Sequence, residues 1–162
     1  TTINANLGST ISISTSGSVT LNVTPVSGGS QTSASDTVSV STNNSSGYYL
    51  TLSDSDANTN LVNGGNNIAA HAGTQASPSA LANNRWGYRV DSIGGFSTGG
   101  AVENNVTTSS ITYAGIPASG SPNTIKTTGA TASGDTTTVW YAVKADTTNP
   151  NGTYSDIAST RG

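Results

Sequence analysis

The chain has 162 residues and a formal charge of -3, only 8% of its residues are charged, and it holds no Cys and no Met. Ser (26), Thr (27), Asn (17) and Gly (19) make up more than half of it, whereas Leu, Glu, Lys, Arg, Gln and Met together supply 14 residues, too few to build a helical domain. That composition excludes helical bundles, α/β folds, a disulfide framework and thiolate metal sites, and five scattered Lys and Arg leave no basic patch for a nucleic-acid partner.

Thr, Val and Ile number 27, 11 and 9, and their branched side chains favour the pleated strand. A chain of this length buries roughly two-thirds of its extended surface, enough for one domain with a thin core of Val, Ile, Leu and aromatic residues. No apolar stretch approaches the ~18 residues that span a bilayer. Thr1 stands first, as expected of a mature chain whose signal peptide has been removed.

In chain order, Ile3, Ala5, Leu7, Ile11 and Ile13 fall on alternate positions with polar residues between them. This period of two predicts an extended strand over 1–16 with one apolar face, leaving 17–162 as a single domain. Val19, Leu21 and Val23 form a second alternating run, and Ser16-Gly17 offers a turn through which the first could pair with it. Val38 and Val40, then Tyr48, Leu50 and Leu52, continue the rhythm with polar turns between them. Residues 54–84 interrupt it, and Ser77 ahead of Pro78 predicts at most a turn or two of helix there.

Strand character returns with Trp86, Tyr88 and Val90 on one face and Arg85, Gly87 and Arg89 on the other. Weaker runs follow at 102–106, 111–113 and around Ile125. The strongest late strand is 137–145, with Val139, Tyr141 and Val143 opposite Trp140, Ala142 and Lys144. Short strands about ten residues apart predict an all-β fold, an antiparallel β-sandwich of Ig-like or jelly-roll-like type with an extended N-terminal strand.

Four patterns invite a chemical reading. Gly95-Phe96-Ser97-Thr98-Gly99 matches a Gly-x-Ser-x-Gly nucleophile motif with His71 and Asp91 upstream, yet no helix is signalled after it, so a Gly-rich loop is the expectation. Asp54, Asp56, Asn58 and Asn60 place oxygen-bearing side chains at alternate positions, as the start of a calcium loop would. Thr59 and Gly65 occupy the places of its Gly and its bidentate Glu, and an Asx turn is the alternative. Trp86, Tyr113 and Trp140 are candidates for stacking on sugar, with core packing the competing role, and Trp140 is the one expected to be exposed. Asn-x-Ser/Thr triplets begin at Asn22, Asn43, Asn44, Asn105 and Asn151, permitting glycosylation.

The N-terminal alternation, the run of short strands and the closing Gly152-Thr153-Tyr154-Ser155 resemble bacterial cell-surface β-sandwich subunits of the kind that polymerise by donor-strand exchange. The resemblance implies an extracellular, non-enzymatic pilus or filament subunit. Its partner would be another copy of itself, and Ile3, Ala5, Leu7, Ile11 and Ile13 would be the strand inserted into that neighbour. The chain lacks the Cys pair common in chaperone–usher pilins and the long apolar helix that opens type IV pilins. The other expectation is a monomeric adhesin or carbohydrate-binding module that meets cell-surface glycans through its aromatic residues.

Overall fold

Two long strands carry the architecture, β2 (Ser30–Thr42) and β11 (Ala132–Ala145), paired antiparallel from Ala132↔Thr42 to Ala145↔Ser30 in a computed structural model that describes all residues 1–162. The ladder breaks once, between Ala132 and Asp135, where Gly134 takes a φ of 63° that a bulge requires and a Cβ would disfavour. Around this pair lie β1 (Ile11–Ser14), β4 (Leu61–Asn63), β5 (Asn66–Ala70), β7 (Arg85–Arg89) and β8 (Glu103–Val106). They complete a seven-stranded sheet of order β1-β2-β11-β7-β5-β4, with β8 also against β2. A three-stranded sheet follows the order β10-β3-β12, from β3 (Tyr49–Asp54), β10 (Asn123–Thr127) and β12 (Ala158–Arg161). A short ribbon joins β6 (Ser79–Ala80) to β9 (Thr112–Tyr113).

One core joins the two larger sheets. Val38, Val40, Trp86, Tyr88, Val139 and Val143 of the first sheet pack with Leu50, Leu52 and Ile125 of the second, all buried. These are the positions that the alternation marks, because successive side chains of a strand point to opposite faces. At the start of β2 the rule gives way, since Ser30, Gln31, Thr32 and Ser33 are all buried although none is apolar. Loops cover them and satisfy their polar atoms: Ser30 donates to the Thr24 carbonyl at 2.5 Å, Thr32 to Asn22 at 3.0 Å and Ser33 to Ala101 at 2.7 Å.

The all-β expectation holds, and no helix is long and apolar enough to cross a membrane. Several finer expectations are corrected. The large sheet is mixed, because β5 and β7 run parallel through Ala69↔Arg85 and Ala70↔Trp86, so a purely antiparallel arrangement does not describe it. Ser77 caps no helix: it exchanges two backbone hydrogen bonds of 3.1 Å with Thr74, and Ser79 and Ala80 enter a strand.

The strand predicted over 1–16 is ordered as β only from Ile11 to Ser14. It pairs with Ser39–Thr42 of β2 and not with the run at Val19–Val23. Ser16 secures its end by donating both its N–H and its hydroxyl to Asp36. Val19, Leu21 and Val23 are half-buried with exposed residues between them, so the alternation there is real. Side chains replace the ladder, as where Thr24 N–H donates to Asn105 at 2.6 Å, and the run forms no strand.

Candidate functional site

Three regions hold the residues that the sequence singles out. The first is the N-terminus. Residues 1–10 pair with no strand, and all are exposed. Thr10 and Gly8 are tethered to Asn43 and Thr42, through Thr10 N–H to Asn43 Oδ1 at 2.8 Å, Thr42 Oγ1 to the Thr10 carbonyl at 2.7 Å and Asn43 Nδ2 to the Gly8 carbonyl at 2.9 Å. Ahead of that tether Ile3 is 89% and Leu7 85% exposed, with Ala5 between them. Ile11 and Ile13 are 50% and 39% exposed on β1, so the predicted strand divides into a free part and a part held by its own subunit.

The second region is an open groove of about 440 Å³ bordered by Val90, Ile93, Ile125, Lys126, Thr137 and Trp140. Its position follows from unequal pairing. β11 is paired with β2 along its length, but with β7 only over Trp140–Lys144. From Ala132 to Val139 the edge on the β7 side therefore has no strand against it. Trp140 lies half-buried there with Gly100 against its indole, so close that a Cβ on Gly100 would stand 2.2 Å from Nε1. Trp86 and Tyr113 are placed otherwise. Trp86 is buried in the main core and donates its indole N–H to the Thr59 carbonyl at 2.9 Å. Tyr113 is buried beneath Leu81 and Ala142. Neither ring offers a face to a sugar, which corrects two of the three aromatic candidates.

The motif around Ser97 is not assembled for chemistry. Asp91 binds Arg89 Nε at 2.6 Å and accepts the Gly99 and Gly100 N–H groups, while Arg89 donates to the Ser97 carbonyl. His71 lies instead beside Ser79, with Nε2 2.8 Å from Oγ, and burial lowers its pKa. Ser97 and Asp91 are thus both held by Arg89, while His71 has a separate partner in Ser79, and the three are not hydrogen-bonded to one another. Arg89 is 2% exposed and sits 5.5 Å from the Phe96 ring centre, so the Arg-x-Asp pair clasps the 97–100 loop. Burial of Asp91 raises its pKa, but the Gly100 and Gly99 N–H groups and Arg89 outweigh it and hold the carboxyl below its ordinary range.

The third region is the Asp54–Asn60 turn. Asp54 Oδ1 accepts Asp56 N–H at 3.2 Å, Asp56 Oδ1 accepts Asn58 N–H at 2.6 Å and Asn58 Oδ1 accepts Asn60 N–H at 3.3 Å. These are successive Asx turns, and they occupy one oxygen of each of Asp54, Asp56 and Asn58. No three acidic or His side chains are gathered as a metal cage. One residue that the pattern gave no sign of joins the turn: Asp156, which the pairing of β12 with β3 at Ala158↔Asp54 brings back beside Asp54. Burial, then Asp54, pushes the Asp156 pKa up to about 6, with the Asp56 charge adding to it.

No family model matches the chain, and neither a curated protein nor a solved structure matches it. The functional reading therefore rests on the molecule's own geometry.

Proposed function

We propose that this protein is a secreted, non-enzymatic subunit of an extracellular filament on a bacterial-type cell surface, joined to its neighbour by its N-terminal segment. One observation carries the reading. Ile3, Ala5 and Leu7 alternate along a segment that its own subunit leaves exposed, with the chain tethered immediately after it at Gly8 and Thr10. An apolar face of this kind, on a segment free to extend, is suited to strand addition on a second molecule. Seven free residues reach roughly 23 Å when extended.

The acceptor that best fits is the unpaired edge of β11 from Ala132 to Val139, beside Val90, Ile93 and Ile125. That edge matches seven donor residues in length, and an unpaired edge is a standing invitation to another strand. Covering Ile3 and Leu7 stabilises the contact by roughly 1.5–3 kcal/mol each, in addition to the ladder hydrogen bonds. This reading treats the two larger sheets as the faces of an incomplete sandwich that the neighbour's strand completes. Low charge reduces the repulsion between stacked copies.

The chain holds no Cys, so cross-linking is clean. A variant carrying both L7C and T138C should form a ladder of disulfide-linked oligomers on non-reducing gels. Deleting residues 1–7 should leave only monomers by light scattering and negative-stain microscopy. Dispersed globules across salt and concentration, with no intermolecular cross-link, would overturn the proposal.

A second reading has one observation in its favour, the half-buried Trp140 in a groove that also offers Asp91, Lys126 and threonine hydroxyls. As a monomeric adhesin or carbohydrate-binding module the protein would stack a cell-surface sugar on that indole. Glycan-array binding by the variant lacking residues 1–7, lost in W140A, is its expected result.

A further inference from the structure

The meeting of Asp54 and Asp156 lacks something positive. Asp54 is 1% exposed, and its Oδ2 is buried with no hydrogen-bond partner. Asp156 Oδ2 is likewise buried and unpartnered, while its other oxygen accepts the Ile157 N–H at 2.8 Å. Backbone pairing leaves the two carboxyls little freedom to part. Ser55 N–H donates to the Ile157 carbonyl at 2.8 Å, and Ala158 stands opposite Asp54 in the β3·β12 ladder. Asp54 N–H is itself fixed on the Pro117 carbonyl at 2.7 Å.

Asp56 adds a third negative charge at the rim. No Lys or Arg answers them, since the chain's two ion pairs are Arg89–Asp91 and Lys126–Asp135. Two facing carboxylates with free oxygens are tolerated in a buried setting only when a proton or a cation lies between them. A single proton would neutralise one charge of the three. A hard divalent cation would neutralise two and would use the oxygens that now have no partner.

We propose that Asp54 and Asp156, through their two unpartnered oxygens, bind one divalent cation of the calcium type, which clasps β12 to β3 near the chain's C-terminal end. Water and backbone oxygens fill the remaining positions, as calcium's flexible coordination allows. Asn58 Oδ1 stays committed to its turn, so the ligands come from two distant parts of the chain and not from successive positions of one loop. The site lies apart from the N-terminal segment and the β11 edge and does not depend on polymerisation.

The test is the thermal midpoint of the full chain at pH 7.5, first in chelator and then with CaCl2 added to millimolar concentration, with MgCl2 and matched NaCl as controls. Calcium should raise the midpoint by several degrees in a saturable way, and NaCl should not. D156N should remain folded in chelator and lose the calcium shift. N58A, outside the ligand set, should keep it. A wild-type midpoint that ignores calcium yet rises on acidification overturns the proposal in favour of a shared proton. A shift that persists undiminished in D156N overturns it as well.

Discussion

The protein surrounds its carboxylates in two ways. At Asp91 the chain supplies everything the charge needs: the Arg89 guanidinium at 2.6 Å and the N–H groups of Gly99 and Gly100 at 3.0 Å and 3.1 Å. At Asp54 and Asp156 it brings two acids together and leaves an oxygen of each with no partner. The first site is complete and reads as structure, holding a Gly-rich loop against the large sheet. The second is incomplete and reads as a place for something the chain does not contain. Burial alone therefore says little about role, and the balance of partners says much more.

The comparison can be broken in four ways. Arg89→Ala should have the largest effect, destabilising the fold by roughly 3 kcal/mol in urea unfolding, because it strands the Asp91 carboxylate and the Ser97 carbonyl together. Asp91→Asn should cost about 2 kcal/mol in the same assay, since charge-assisted bonds from Arg89 and two backbone N–H groups weaken at once. Asp156→Asn should act in the opposite direction in chelator at neutral pH, raising stability by about 1 kcal/mol, because it removes one of two like charges that no cation of the chain answers. A loss of stability in both Asn variants would erase the distinction between the two sites.

The smallest effect concerns the partly exposed pair Lys126–Asp135, 2.6 Å apart, where Lys126 first and the Tyr48 hydroxyl second hold the Asp135 carboxyl below its ordinary value. Asp135→Asn should cost less than about 1 kcal/mol. The sign with pH follows from the lowered values of Asp91 and Asp135. Their contribution is complete above the ordinary carboxylate value of 3.8 and is lost as the pH falls through the lower folded values. Acid titration followed by Trp fluorescence should therefore place the loss below pH 4, with D135N flattening it slightly.

Much of the fold was legible because alternation is local. Val38 and Val40, Leu50 and Leu52, and Trp86, Tyr88 and Val90 are buried together where the period of two placed them. Arg89 was expected on the outer face of its strand, and it is buried because the 97–100 loop folds over it, although Arg-x-Asp at i and i+2 was itself a signal of a same-face pair. On β11, Ala142 opposite Val139 and Val143 is buried too, under Leu81 and Tyr113. That second layer was invisible because it comes from a ribbon of two-residue strands.

The candidate sites were legible only in part. The alternation of Ile3, Ala5 and Leu7 and the Asx-rich turn could be read directly, whereas Trp140, expected exposed, is half-buried with Gly100 against its indole. The division of the first strand at Gly8–Thr10 and the arrival of Asp156 beside Asp54 could not. Composition and period by themselves determined that this chain is all-β and that Val38, Val40, Leu50, Leu52, Trp86, Tyr88 and Val90 face inward, since both follow from the geometry of one strand. Tertiary structure decided that β1 joins β2, that β5 runs parallel to β7, that half of β11 has no strand on its β7 side and that two acids lie near one another. Those outcomes depend on how distant segments return to one another, and no residue's immediate neighbours encode that.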